Sequence, residues 1–287
     1  MTGLYSQHLR NPVRRGIRNA ILAVVLTIFS AIILFPLIYM VAWSFGPAVP
    51  VSASSYSIFP QVWTLDSFKA FFASSTNSLR WLGNSFIVAA TTVVTNVIFA
   101  GMAGYAFAKI NFKGNKFFFY LVLVGMMIPY QVTQVPLYIL IVNKFHMADT
   151  YAALILPGCV TSYNIFLAKQ FFAGIPTALI ENAKVEGASQ FRIFRSIILP
   201  LSKTILAVMA INTFVSNWNT FFWPFLVTTK ESMFTIQVAL KTFKASSWTL
   251  LSPMMAGATI SALPIFILFF ALQKYFLEGV TVGAVKG

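Results

Sequence analysis

Runs of apolar residues about as long as a bilayer is thick recur along this chain, over roughly 19–43, 84–108, 117–141, 150–172, 201–227 and 254–273. A helix needs about 20 such residues to cross the ~30 Å hydrocarbon core. With no water there to satisfy stray N–H and C=O groups, each run must close its backbone hydrogen bonds within itself, as a helix does. The expected fold is all-α: a polytopic membrane protein with six transmembrane helices, forming a single transmembrane domain over residues 1–287. Between the first two runs, turn residues (Gly46, Pro47, Pro50, Pro60) end the helix. Trp63, Phe68, Phe71, Phe72 and Trp81 there are expected to lie at the membrane interface.

The charges fit a lipid environment. Lys and Arg number 20 against 6 acidic residues, a net charge of +14. Such a balance can mark a nucleic-acid binder, but here the basic residues flank the apolar runs and line no polar face, so no nucleic acid is expected. With the N-terminus inside, fourteen of them fall in inner segments and six (Lys69, Arg80, Lys144, Lys230, Lys241, Lys244) in outer ones. That satisfies the positive-inside rule and places both termini in the cytoplasm. The Arg-rich lead (Arg10, Arg14, Arg15, Arg18) resembles a signal peptide, but the run behind it is too long and lacks a small-residue cleavage site, so it is expected to stay as an anchor. Cys159 is alone and His8 and His146 are far apart, so neither a disulfide nor a metal site is expected.

One polar insert breaks the pattern. Residues 174–200, between the fourth and fifth runs, carry Glu181, Glu186, Lys184, Arg192 and Arg195. Ionised groups in mid-bilayer cost about 2.5–3.5 kcal/mol each even on a lenient scale, so the insert must lie at a membrane face. The topology makes that face cytoplasmic. Pro176 opens a short helix in which Leu179, Ala183 and Gly187 form an apolar-to-small stripe, expected to let another surface approach the backbone. A second amphipathic stretch ends at Leu199-Pro200. On these residues alone, an ordinary cytoplasmic loop with two surface helices is as good a reading.

Glu181, Asn182, Ala183, Gly187, Ile197, Leu199 and Pro200 resemble the EAA loop of the membrane subunits of bacterial ABC importers, with every spacing kept and Asn182 the one departure. The segment Trp218-Asn219-Thr220-Phe221-Phe222-Trp223-Pro224 is similar to one in carbohydrate-importer permeases, the second permease of maltose-type importers above all. Met127-Ile128-Pro129 and the ending from Gln273 to Gly287 are similar to theirs as well. The resemblance covers about residues 80–287. It implies a type I importer permease fold in the bacterial cytoplasmic membrane, paired with a second permease. It also implies two ATP-binding subunits that hold ATP and Mg, with no cofactor in this chain, and an extracytoplasmic solute-binding protein. Glu181, Asn182, Ala183, Glu186, Gly187, Leu199 and Pro200 would then couple to the ATPase, and so would Lys286 and Gly287 in the tail.

No P-loop, no His-Glu-x-x-His and no Gly-x-Ser-x-Gly occurs, and no acidic residue falls in an expected span, so the chain does not read as an enzyme. The spans do hold neutral polar groups. Gln131, Tyr163, Asn164, Asn212, Asn217, Trp218 and Asn219 are candidates to line a solute path; for Gln131, Asn212, Asn217 and Asn219 interhelical hydrogen bonding is an equal reading. Amides, hydroxyls and rings without charge suit a sugar and suit an ion poorly. The readings that compete with a carbohydrate importer are an importer of a non-sugar solute and a stand-alone channel or secondary carrier. The carrier would need an intramembrane charge for ion coupling, and no acidic group supplies one.

Overall fold

The computed structural model describes residues 12–48, 57–246 and 251–284. All regular structure among them is helical. The residues group into two compact units, one taking those up to Phe71 together with 251–259, the other taking 72–246 and 260–284.

In the first unit, α1 (Pro12–Ser44) runs unbroken through Pro36. Its large apolar side chains from Ile17 to Ile38 are exposed, the surface of a helix whose solvent is lipid. Its end is anchored by polar contacts. Trp43 Nε1 donates to Ser57 O (3.1 Å), Ser67 Oγ donates to Gly46 O (2.7 Å), and the Phe45 ring meets Phe68 edge-on. The expected interfacial aromatics divide here: Trp63 is exposed, whereas Phe71 and Trp81 are buried, Trp81 in the second unit.

Short α2 (Asp66–Ala73) leads to the second unit, which is built on α3 (Ser78–Lys109). After α3 come α4 (Asn115–Met127), α5 (Tyr130–Tyr138, extended by a wide π-helical turn to Lys144), α6 (Tyr151–Ile155) and α7 (Ser162–Ala173). Then follow α8 (Thr177–Val185), α9 (Gln190–Ile193, extended by a second π-helical turn), α10 (Lys203–Asn219), α11 (Phe222–Val227), α12 (Ile236–Ser246) and α13 (Leu251–Ala284).

Three helices are continuous and apolar enough to cross a membrane: 16–44, 78–109 and 251–273. Three further helix pairs are apolar enough only when taken together, and each is bent: 115–127 with 130–144 at 97°, 151–158 with 162–173 at 41°, and 190–201 with 203–219 at 84°. The first break falls at Ile128-Pro129, where proline supplies no N–H and forces its predecessor out of the helical region. The third falls at Ser202, so the fifth run is divided into α10, which ends at Thr220, and α11.

The core of this unit is the crossing of α3 with α7. A methyl group added at Gly104 would lie 2.5 Å from Ala168 Cβ and 2.9 Å from the Lys169 nitrogen, so only glycine permits the approach. Above it runs a buried amide network. Asn164 Nδ2 donates to Asn96 Oδ1 (2.7 Å) and to Thr213 Oγ1 (2.8 Å), and Asn96 Nδ2 donates to Gly158 O (2.8 Å). Three spans are thereby tied together. Gly104→Ala should destabilise the protein by about 1–3 kcal/mol through overpacking. A lower melting temperature in detergent, partly restored by adding Ala168→Gly, checks this.

Candidate functional site

The charged loop is α8, a left-handed turn and α9, and one lysine sets its entry. Lys109, the last residue of α3, donates its Nζ to Ala173 O (3.3 Å) and Ile175 O (2.6 Å), satisfying carbonyls left open where α7 ends. α8 lays Ile180 and Ala183 into the core with Phe172 and Ile193. It then stops in a Schellman motif: Ala188 N donates to Ala183 O (2.9 Å) and Gly187 N to Lys184 O (2.9 Å), with Gly187 at φ +79°. Ser189 caps α9 by accepting from Arg192 N, and Ile193, Phe194 and Ile198 fix it to the core. Tyr105 supports it too, its hydroxyl donating to Gln190 Oε1 (2.8 Å).

The expected outward stripe is corrected by this geometry. Leu179 is exposed but Ala183 is buried, because Ile180 and Ala183 form the inward pair and the chain leaves the helix before Gly187. The outward surface is instead Glu181, Asn182, Lys184, Val185, Glu186 and Gly187, with Val185 88% exposed at the tip. A methyl group at Gly187 would meet nothing in this chain within 4 Å. Leu199 packs against the same core and Pro200 is exposed. Lys286 and Gly287 lie outside the described residues.

The polar residues expected along a path separate into two groups. Asn164 is buried in the amide network, and Trp218, 2% exposed, stacks on Phe214 and donates Nε1 to Ser261 O (2.9 Å). The Asn164 amide nitrogen and the Trp218 indole N–H are thus spent on internal partners, which in this structure gives both residues a packing role. Gln131, Tyr163, Asn212 and Asn219 are exposed and Asn217 is half-buried. On α10 the exposed residues are Lys203, Asn212, Ser216 and Asn219, all polar. The last three fall at i, i+4 and i+7, one face of the helix. A spanning helix cannot turn amides to lipid without cost, so this face requires water or protein against it.

Beside it lies a cavity of about 360 Å³ among α3, α5, α6 and α10–α11, lined by Ser85, Tyr130, Thr161, Ser216, Asn217, Thr220, Trp223 and Thr235 with apolar neighbours. Of these only Asn217 is a path residue in the sequence reading. The hydroxyls were missed because single Ser and Thr residues on several elements leave no local pattern; Ser216, midway between Asn212 and Asn219, was the one readable signal. Among the described residues no group of three His, Cys, Asp or Glu lies together.

Opposite the charged loop along α3, the segment 228–236 is held from several sides. Asn84 Nδ2 donates to Ser232 O and Phe234 O (2.9 Å each), Trp81 Nε1 donates to Glu231 O (3.1 Å), and Ser75 pairs with Glu231. The Asp149 carboxylate accepts from Thr229 N (2.7 Å), Thr229 Oγ1 (2.6 Å) and Lys230 N (2.8 Å). Burial pushes this carboxyl's pKa up, but the hydrogen bonds and the Lys230 charge outweigh it, and the net shift is down from the ordinary 3.8. The clasp is therefore fully made above that value and is lost as the pH falls through the lowered one. Amide hydrogen exchange, corrected for its intrinsic pH dependence, should show Thr229 and Lys230 protected at neutral pH and released in acid. Asp149→Asn should weaken that protection at pH 7.

The described family of binding-protein-dependent transport system inner membrane components matches residues 96–282. An arabinooligosaccharides transport system permease protein, AraQ of Halalkalibacterium halodurans, is 37% identical over 275 residues, 94% of this chain and 98% of that one. The sn-glycerol-3-phosphate transport system permease protein UgpE of Brucella abortus is 31% identical, covering 93% and 97%. A crystal structure of a bacterial ABC transporter involved in the import of the acidic polysaccharide alginate aligns with TM-score 0.80 at 23% identity, over 93% of this chain and 98% of that chain, a likeness of fold.

Proposed function

The chain belongs to the family of binding-protein-dependent transport system inner membrane components, and on that footing we propose that it is a permease subunit of an ATP-driven carbohydrate importer. The observation that carries the proposal is the end-to-end similarity to an arabinooligosaccharide permease, 37% over 94% of the chain. The uncharged, hydroxyl-rich cavity beside α10 supports a sugar as the solute.

In this reading the chain pairs with a second permease against the polar face of α10 and receives sugar from a solute-binding protein outside. Two partner ATPases bind ATP and Mg. Both termini are cytoplasmic, which puts the α8–α9 loop where an ATPase would meet it. Val185, Glu181, Glu186 and Gly187 are its contact surface, while Ile180 and Ala183 join its movement to the core. The similarity to a glycerol-3-phosphate permease favours a second reading, an anionic solute. Sugar-stimulated ATP hydrolysis in the assembled complex, measured over neutral saccharides and glycerol 3-phosphate, decides between them.

Two outcomes are expected of the loop. Gly187→Trp should cut sugar-dependent ATP hydrolysis and uptake tenfold or more while costing only about 1–2 kcal/mol of stability for its left-handed backbone; comparing transport with melting temperature checks it. A cysteine at Lys184 should react with a membrane-impermeant maleimide in inside-out vesicles and stay unlabelled in intact cells.

A further inference from the structure

We propose that Tyr105 and Lys109 are positioning residues that clamp the α8–α9 loop to α3 at two points, so that a push on the loop from an ATPase reaches the 228–236 segment at the far end of the same helix. The inference rests on the importer reading above and goes further, since it names the joint through which the loop's movement passes on.

The two residues stand at i and i+4, one turn apart and therefore on one face of α3. Lys109 grips the loop at its entry. An ammonium carries three donors, and here they face Ala173 O (3.3 Å), Ile175 O (2.6 Å) and Thr177 Oγ1 (3.5 Å). These acceptors follow the chain from the end of α7 into the start of α8. Among the described residues no carboxylate pairs with Lys109, so nothing competes for its donors. Tyr105 grips the loop beyond α8. Its ring is buried against Phe194, with centroids 5.5 Å apart, and its hydroxyl donates to Gln190 Oε1 (2.8 Å) at the start of α9. Helix α8 and its left-handed turn thus lie between two fixed points.

Apolar packing does not supply this by itself. Ile180, Ala183 and Ile193 bury in the core, but apolar attraction is non-directional and lets surfaces slide. Hydrogen bonds from two places on one stiff helix set the register. Helix α3 is in turn locked to α7 at Gly104, and Trp81, Asn84 and Ser85 near its start hold the 228–236 segment. The route between the two loops is therefore one helix with hydrogen bonds at each end. Such continuity becomes coupling only if removing the joints uncouples the ends.

The test uses the complex of this chain with its partner subunits and binding protein in lipid nanodiscs. Amide hydrogen exchange over residues 228–236 is followed without nucleotide and with ATP plus vanadate. In wild type the two conditions should differ. Lys109→Met, which keeps the side chain's length and removes its donors, should shrink that difference about fivefold, the low end of couplings between sites. Lys109→Arg should restore it. Tyr105→Phe loses one oxygen from a ring that stays buried; it should shrink the difference about twofold, and it carries the test alone where the lysine variant fails to assemble. Lys113→Met, an exposed lysine lost from the turn after α3, should change nothing. A role in stability alone raises exchange equally in both conditions and leaves their difference intact, so the difference reports the clamp. If the variants keep the wild-type difference, or if wild type shows none while the complex hydrolyses ATP, the clamp is wrong and the importer reading stands. If the chain assembles with no ATPase, the importer reading falls and the clamp falls with it.

Discussion

The close approach of α3 to α7 is the contact on which the larger unit depends. With glycine at 104 and alanine at 168 the two backbones come together, and that brings Asn96 within reach of Asn164 and the residues around Gly158. In a bilayer the apolar effect gives little attraction between helices, so tight packing and internal hydrogen bonds must supply it. The same helix reaches both ends of the unit. Lys109 closes the carbonyls that begin the charged loop, while Trp81, Asn84 and Ser85 hold the 228–236 segment. At 1.5 Å per residue its 32 residues span about 48 Å, so both loops are referenced to one stiff element.

The apolar runs announced the long apolar helices, three of them continuous, because length and composition suffice for that. The bends were less evenly legible. Pro129 marks its own break, since it cannot donate, whereas Ser202 carries no such mark and its 84° turn is visible only in the fold. The loop's spacing groups Ala183 with Leu179 and Gly187, whereas in the fold Ala183 turns inward beside Ile180. A periodicity argument assumes that the helix continues, and here it ends in a left-handed turn at the residue that completes the pattern. For Asn164 and Trp218, residue type could not separate internal glue from a path lining, since both uses call for the same groups. Burial and partners make the distinction, and those come from elements 43 to 68 residues apart in sequence.

The polar residues around the cavity beside α10 are all neutral, and the charged ones lie at the ends. Asp149 and Glu231 secure one end, and Glu181, Lys184 and Glu186 crowd the other. This segregation follows from the cost of ionised groups in a low dielectric.

The face of α10 has a consequence for biosynthesis. Asn212, Ser216 and Asn219 stand uncovered together on one face of the helix. A newly made copy without a companion would present those amides to acyl tails, an arrangement that favours tilting, local hydration and recognition by membrane proteases. If the second permease proposed above covers this face, the lifetime of this chain in the cell is tied to the rate at which that partner is synthesised.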